Sequence, residues 1–172
     1  AAAKSNTLGE MASGGFRLRD LEGNPLHHHL GISGFAQHAV VDRRSLVPVP
    51  EDVPAVTAAL FGCAALTGAG AVFNTARVGP GESVGIFGLG GVGMAALLAA
   101  VASGAWPIIV VDPVVEKHAL AISLGASHAF SPDDPSGQIS DISPGGLAHT
   151  IEAVGSEVAL RAAWDVTRPG GN

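Results

Sequence analysis

The sequence predicts an α/β fold with a parallel, doubly wound sheet, and three observations carry that prediction. Short apolar runs typical of buried strands alternate with segments of helical periodicity, in the order βαβαβ. Hydrophobic residues make up 47% of the 172 residues and charged residues only 14%, which indicates a large buried interior. A glycine-rich turn joins the first of these apolar runs to a helical segment. Buried parallel strands read as continuous apolar runs, so the sheet is expected to be parallel.

Signals in the first half of the chain are weaker. Residues 1–16 are small and polar and are expected to form a lead-in to the fold. Phe35 to Val41 carry alternating and β-branched character, which predicts a strand. A helix is expected to follow and to run toward Arg77. Asp52 is the expected N-cap of this helix, and Pro54 lies just inside its first turn. We expect a break near Gly62, and Gly79 is expected to stop the helix.

The second half gives a regular succession of elements. Gly79, Pro80 and Gly81 form a tight-turn sequence, because proline presets φ at the second position of a turn and glycine allows a positive φ at the third. Strands are predicted over Ser83–Phe87, Ile108–Asp112, His128–Phe130 and Ala148–Val154. Three helices are predicted between and after these strands. The first contains the apolar stripe Met94, Leu97, Leu98 and Val101 and ends at Gly104, the second covers 114–124 and ends at Gly125, and the third covers Glu157–Thr167. Residues Ser131–Gly146 are predicted to form a polar loop with a short helical piece.

Charge and cysteine content exclude several classes of function. Nine basic and fifteen acidic residues give a formal net charge of −6, which argues against nucleic acid as a partner. The single cysteine, Cys63, cannot form an intrachain disulfide, and the chain cannot supply a four-thiolate zinc site. A reducing, cytoplasmic setting fits best, and we expect no signal peptide because no apolar run follows residues 1–5.

One segment imitates a membrane span. Residues 84–111 contain no charged side chain and exceed the about 20 residues that a spanning helix requires. Glycines and Pro107 interrupt the segment, and no basic flank sets an orientation. We therefore expect buried strands here and no membrane partner.

The glycine turn carries the most specific chemistry in the sequence. Gly88, Gly90 and Gly93 form a G-x-G-x-x-G pattern between a predicted strand and a predicted helix, the context that makes it a dinucleotide-binding motif of a Rossmann-type sheet. Free N–H groups at the helix start would hold a pyrophosphate without a basic side chain. Asp112 ends the second strand, where a carboxylate accepts hydrogen bonds from a ribose diol and repels a 2′-phosphate. Lys117 follows five residues later and is either a ribose ligand or a solvated lysine.

Cysteine and histidine residues outside this motif carry weaker signals. Taken alone, Cys63 has the character of a small buried hydrophobic residue. His27 and His29 would share one face of a strand while His28 points away, so three histidine ligands to one metal are not expected. Structural or pocket-lining roles are favoured for the triplet.

From about Gly15 to Gly171, several segments together resemble the zinc-dependent medium-chain alcohol dehydrogenases. The resemblance is strongest to the class III and bacterial members of that family. The segments that carry the resemblance are Pro25–Gly31, Phe35–Asp42, Leu60–Gly70, Gly79–Glu82, Gly88–Gly93 and Ile151–Gly155. The resemblance implies a remnant of a β-rich, GroES-like catalytic domain over 1–64 and a truncated Rossmann domain over 65–172. It also implies NAD and zinc as cofactors, a small alcohol or aldehyde as substrate, and a homodimer or homotetramer.

Roles for individual residues follow from the resemblance alone. Cys63 corresponds to the third protein ligand of the catalytic zinc, and Thr67 to a catalytic residue beside the nicotinamide. The implied cofactor-binding residues are Gly88, Leu89, Gly90, Gly91, Val92 and Gly93 at the pyrophosphate, Asp112 and Lys117 at the adenosine ribose, and Ala153 and Val154 beside the cofactor. His29 and Leu30 correspond to positions of the substrate pocket.

Departures from the family pattern matter equally. The family's other catalytic zinc ligands, its four-cysteine zinc lobe and two further strands have no counterpart here, so we expect the chain to be the central portion of a dehydrogenase. By itself it is expected to be inactive, and to associate through an unpaired edge at the strand Ala148–Val154. Two alternatives stay open: a zinc-free quinone or enoyl reductase on the same scaffold, and a non-catalytic nucleotide-binding module. Asp112 and Cys63 count against the zinc-free reductase.

Overall fold

The computed structural model describes residues 7–11, 13–29, 34–133 and 135–172, which divide into two compact units. The first unit is Ala1–Pro50 and the second is Glu51–Asn172. This division places Cys63 in the same unit as the glycine turn. Assignment of residues 1–64 to a catalytic-domain remnant stays a prediction.

The first unit contains a small hairpin that local signals did not predict. Strands β1 (Leu18–Arg19) and β2 (Pro25–Leu26) pair antiparallel around a turn in which the Asp20 carboxylate accepts hydrogen bonds from the N–H groups of residues 22 and 24. The strand expected over Phe35–Val41 is wrong, because residues 34–42 form bends and coil. Phe35 is fully exposed there, and alternation alone makes no strand without a partner.

Helix α1 covers Ala55–Ala76 without the break expected near Gly62. Its N-cap is Pro54 rather than Asp52. It ends at Arg77, which adopts a left-handed φ of 54°, two residues before the expected stop. By length and composition alone, this 22-residue apolar helix would be long enough to cross a membrane. In the structure only 11% of its most apolar stretch is buried, and the helix packs closely on the next helix at Gly68.

Four parallel strands form the sheet of the second unit, in the order β5-β4-β3-β6, which confirms the predicted α/β class. The strands are β3 (Val84–Phe87), β4 (Ile108–Val111), β5 (His128–Phe130) and β6 (His149–Glu152). Helices α2 (Gly91–Ala102), α3 (Glu116–Ser123), α4 (Pro135–Ile142) and α5 (Glu157–Asp165) alternate with them. The charge-free segment 84–111 therefore consists of the two central strands and α2, as the prediction of buried strands requires.

A hydrophobic core lies on each side of this sheet. Val84 and Ile86 point into the core that contains α2, whereas Phe87 joins the core beneath α4 and α5. Strand β4 alternates in the same way. Successive side chains of a strand face opposite sides, so a sheet buried on both faces accepts the continuous apolar runs seen in the sequence.

The buried face of α2 differs from the stripe that periodicity predicted. Leu98 and Val101 are 50% and 39% exposed. The residues that are buried at i, i+3, i+4 and i+7 are Gly93, Ala96, Leu97 and Ala100. A Cβ on Gly68 of α1 would overlap the carbonyl oxygen of Val92. Small residues therefore line the contact, because the two helix backbones approach too closely for larger ones.

The edge at β6 is partly covered, which corrects the expectation of an unpaired edge. The N–H of Asn172 donates to the carbonyl of Ala148, and the N–H of Thr150 donates to the carbonyl of Asn172. Asn172 thus bonds to the residues on either side of His149, which is the hydrogen-bond pattern of parallel strands.

Candidate functional site

The turn between β3 and α2 has the geometry that the glycine motif predicts. Gly88 adopts a φ of 94° and its N–H donates to the carbonyl of Val111 at 2.7 Å. A Cβ on Gly88 would lie 2.7 Å from Cγ2 of Val154. A Cβ on Gly93 would overlap the carbonyl oxygen of Gly88. These two positions are glycine because the turn is left-handed and the helix packs directly on it.

Gly90 is different, because its surroundings are open. It is exposed, and no atom lies within 4 Å of the position that a Cβ would occupy. Gly90 is also the N-cap of α2, and no side chain caps the first turn of that helix. The first N–H groups of α2, on Gly91 and Val92, therefore lie next to open space at the positive end of the helix dipole. Such a turn can hold the phosphates of a nucleotide.

Asp112 lies directly after β4, beside this turn. Oδ2 of Asp112 accepts a hydrogen bond of 2.7 Å from the N–H of Leu89, and Oδ1 accepts one of 2.8 Å from the N–H of Val114. Burial by itself raises the pKa of this carboxyl, but these two N–H groups and Lys117 outweigh burial and leave the pKa below its ordinary value. Asp112 is therefore a buried carboxylate at neutral pH.

Lys117 reaches the same carboxylate from α3. Its Nζ lies 3.4 Å from Oδ2 of Asp112, and its side chain remains 37% exposed. A contact of that length to a half-exposed lysine leaves the ammonium group free to reach a second acceptor. The next residue, His118, contributes a ring nitrogen, Nε2, that donates to the carbonyl of Asp112 at 2.7 Å.

The carboxyl end of β6 completes the edge of the sheet next to Gly88. The N–H of Ala153 donates to the carbonyl of Phe87 at 2.8 Å. Oε1 of Glu152 accepts hydrogen bonds of 2.7 Å from both Val154 and Gly155. Ala153 and Val154 are thus held against the glycine turn, and their position beside the cofactor stays a prediction.

Cys63 and Thr67 lie on α1, four residues apart, and both are exposed. Cys63 belongs to a π-helical segment, Phe61–Ala65. Its neighbour Ala64 packs against the start of α2, since a Cβ on Gly91 would lie 3.1 Å from that of Ala64. The structure therefore places the cysteine on a helix that contacts the glycine turn, and not in the core. Irregular helical turns of this kind recur at functional sites.

Comparisons with known proteins agree with this geometry. A family model for zinc-binding dehydrogenases matches residues 91–172. The chain is 38% identical over 170 residues to geraniol dehydrogenase from Castellaniella defragrans, covering 96% of this chain and 46% of the relative. It superposes on benzyl alcohol dehydrogenase from Acinetobacter calcoaceticus with a TM-score of 0.79 at 38% identity, covering 88% of this chain and 44% of that structure. Over the residues that match, the chain is similar to zinc-binding dehydrogenases and to these two alcohol dehydrogenases.

Two further similar proteins match almost the whole of this chain. S-(hydroxymethyl)glutathione dehydrogenase from Escherichia coli is 36% identical over 174 residues, covering 99% of this chain and 47% of the relative. An alcohol dehydrogenase zinc-binding domain protein from Burkholderia ambifaria superposes with a TM-score of 0.86 at 38% identity, over 98% of this chain and 46% of its own. The chain spans about half the length of the curated relatives it matches.

The substrate-pocket residues implied by the family resemblance lie in the first unit. His29 is exposed, and Leu30 lies outside the described residues. The other two histidines of the triplet make local contacts: Nδ1 of His27 meets the carbonyl of Leu8, and Nε2 of the buried His28 accepts from the N–H of Arg17. Assignment of His29 and Leu30 to a substrate pocket stays a prediction.

The sequence did not reveal two residues of this candidate site. His118 and Glu152 both bind backbone groups at the site. His118 belongs to no motif, whereas Glu152 lies in the segment Ile151–Gly155, where no role was assigned to it. His118 follows Lys117 by one position, and local spacing gives no sign that its ring turns back to Asp112. Glu152 lies near the end of the predicted strand Ala148–Val154 and in the segment Ile151–Gly155, but neither signal shows what its side chain binds.

Proposed function

We propose that this chain is the cofactor-binding portion of an NAD-dependent, zinc-dependent alcohol dehydrogenase, which oxidises an alcohol to an aldehyde or ketone. The observation that carries the proposal is the buried Asp112 carboxylate beside an open glycine turn. This arrangement is the one that dinucleotide-binding sheets use for the ribose and pyrophosphate. Similarity to alcohol dehydrogenases supports the type of reaction.

The chain's own residues would bind and orient the cofactor. Backbone N–H groups at the start of α2 bind the pyrophosphate in the open space at Gly90. Asp112 accepts hydrogen bonds from the adenosine ribose, and Lys117 donates to it. Bound NAD supplies the carbon that accepts a hydride from the alcohol. Because Asp112 is ionised and buried, it would repel the 2′-phosphate of NADP.

Zinc needs ligands beyond those that the described residues bring together. A catalytic zinc takes three protein ligands and one open position. No group of three or more His, Cys, Asp or Glu side chains in the described part of the chain could hold a metal ion. We propose Cys63 as one zinc ligand and Thr67 as its neighbour at the nicotinamide.

Substrate, assembly and location are proposed from the family only in outline. The relatives are named for geraniol, benzyl alcohol and S-(hydroxymethyl)glutathione, so a small alcohol or aldehyde is the proposed substrate class. We also propose a homodimer or homotetramer in the cytoplasm, with no nucleic-acid or membrane partner.

Cofactor titration tests the proposal. The affinities of NADH and NADPH are compared by calorimetry for the unmodified protein, Asp112→Asn and Glu116→Gln. Both variants lose one negative charge, but Glu116 is exposed on α3 and serves as the control. We expect NADH to bind more tightly than NADPH, with the preference narrowed by Asp112→Asn and kept by Glu116→Gln. Equal affinities in the unmodified protein would refute NAD specificity, and a preference for NADPH would favour the zinc-free reductase.

A further inference from the structure

We propose that His118 is a positioning residue of the nucleotide site, which acts through the main chain of Asp112. Its imidazole N–H fixes the peptide that follows β4, so that the Asp112 carboxylate is held in position for the adenosine ribose of the cofactor. This inference rests on the proposed binding of NAD. It assigns a role to a side chain outside the glycine motif and the Asp112–Lys117 pair.

The main chain of Asp112 is held from two elements. Its N–H donates to the carbonyl of Phe130 on β5 at 3.1 Å. Its carbonyl accepts from Nε2 of His118 on α3 at 2.7 Å. A carbonyl oxygen can only accept, so Nε2 of His118 carries the hydrogen. Both sides of the residue are thereby tied to the fold.

The turn after β4 needs this side-chain bond. Pro113 follows Asp112 and has no N–H group to offer a neighbouring acceptor. The ring of His118 donates to the main-chain carbonyl of Asp112, while the N–H of Val114 donates to the carboxylate of Asp112 at 2.8 Å. Together the two hydrogen bonds close the turn. Removal of the imidazole would free the peptide between Asp112 and Pro113 to rotate, and the carboxylate would rotate with it.

The effect extends to the phosphate-binding turn. Oδ2 of the same carboxylate accepts the N–H of Leu89, which lies between Gly88 and Gly90. A chain of two hydrogen bonds therefore runs from His118 through Asp112 to the glycine turn. Loss of the first bond should weaken binding of the ribose and the pyrophosphate together, and leave binding of the nicotinamide half unchanged.

Paired substitutions test whether the N–H donor is what matters. His118→Phe and His118→Ala remove the donor, whereas the amide nitrogen of His118→Gln reaches the position of Nε2 and restores it. His128→Phe is the control, because that half-buried ring contacts Ser127 at the other end of β5. Binding of ADP-ribose, of nicotinamide mononucleotide and of NADH against NADPH is measured by calorimetry, and folding is followed by circular dichroism.

We expect the two donor-free variants to bind ADP-ribose about tenfold more weakly, which corresponds to about 1.4 kcal/mol. In these two variants the preference for NADH over NADPH should also narrow. His118→Gln and His128→Phe should keep the ADP-ribose affinity and the NADH preference of the unmodified protein. Unchanged ADP-ribose affinity in folded His118→Ala, or an equal loss in His118→Gln, would overturn the role of the N–H donor. If the unmodified protein binds no ADP-ribose, the proposed function itself fails, which is a separate outcome.

Discussion

The N–H of Leu89 donates a hydrogen bond of 2.7 Å to Oδ2 of Asp112, joining the turn after β3 to the end of β4. The bond is buried, and a charged acceptor makes it stronger than a neutral pair would be. One carboxylate thus stabilises the glycine turn before any ligand binds. The side chain proposed to set the cofactor preference therefore also contributes to local stability.

Asp112→Ala should therefore destabilise the protein even without cofactor. The buried N–H of Leu89 would lose its acceptor, and we expect a loss of about 1–3 kcal/mol in the free energy of unfolding. Asp42→Ala is the control, since Asp42 also accepts a backbone N–H and pairs with an arginine, but at the surface. Urea denaturation measures both, and an equal loss in the two variants would contradict a special role for the buried bond.

Substitution by alanine should affect stability at Gly93 and cofactor binding at Gly90. Gly93→Ala would force a methyl group into the carbonyl of Gly88, and we expect a loss of about 3 kcal/mol or more in stability. Gly90→Ala meets open space at an ordinary φ of −79°, so stability should change by less than about 1 kcal/mol. The same methyl group would occupy the space for the pyrophosphate and weaken NADH binding at least about tenfold.

Thermal unfolding and NADH titration distinguish these two effects. If Gly90→Ala bound NADH as the unmodified protein does, the open space at this glycine would have no part in phosphate binding.

Cys63→Ala tests the proposed zinc ligand in an enzyme that contains this chain. The thiol is exposed, so we expect a stability change within about 0.5 kcal/mol and unchanged NADH binding. Alcohol oxidation and one equivalent of zinc should be lost, as measured by NADH absorbance and metal analysis. Gly62→Ala, the neighbouring change into open space, is the control and should keep both. Retained zinc and turnover in Cys63→Ala would show that the thiol is not a ligand.

Glu82 makes a pH-dependent contribution to stability at the other end of the strands, just before β3. The N–H of Gly79, at 2.7 Å, and then the ring of His149, at 3.0 Å, lower the pKa of Glu82 below its ordinary value of 4.5. A lowered pKa means that this contribution to stability is present above pH 4.5 and is lost as the pH falls through the folded value.

Glu82→Gln should therefore be less stable than the unmodified protein at pH 7, and the difference should shrink in acid. Urea denaturation at pH 7 and at about pH 3 measures it. A difference that stays constant between the two pH values would mean that the charge of Glu82 contributes nothing.

Local sequence determined the order of elements in the second unit and pointed to the candidate nucleotide site. Strand, glycine turn, helix, strand and acidic residue follow one another within residues 84–112, so that their order and spacing can be read from the local sequence. The turn at Gly79–Glu82 was also predictable, because Pro80 and Gly81 preset its two central dihedral angles, and Gly81 does adopt a φ of 77°.

Tertiary structure decided what depends on distant partners. The buried face of α2 follows from the close approach of α1 at Gly68 and of the turn at Gly88, whereas periodicity favoured the larger side chains Leu98 and Val101. A strand over 35–41 needs a partner strand, which a local pattern cannot supply. The bond from His118 to Asp112 depends on how α3 packs after β4, so the residue type alone could not reveal it.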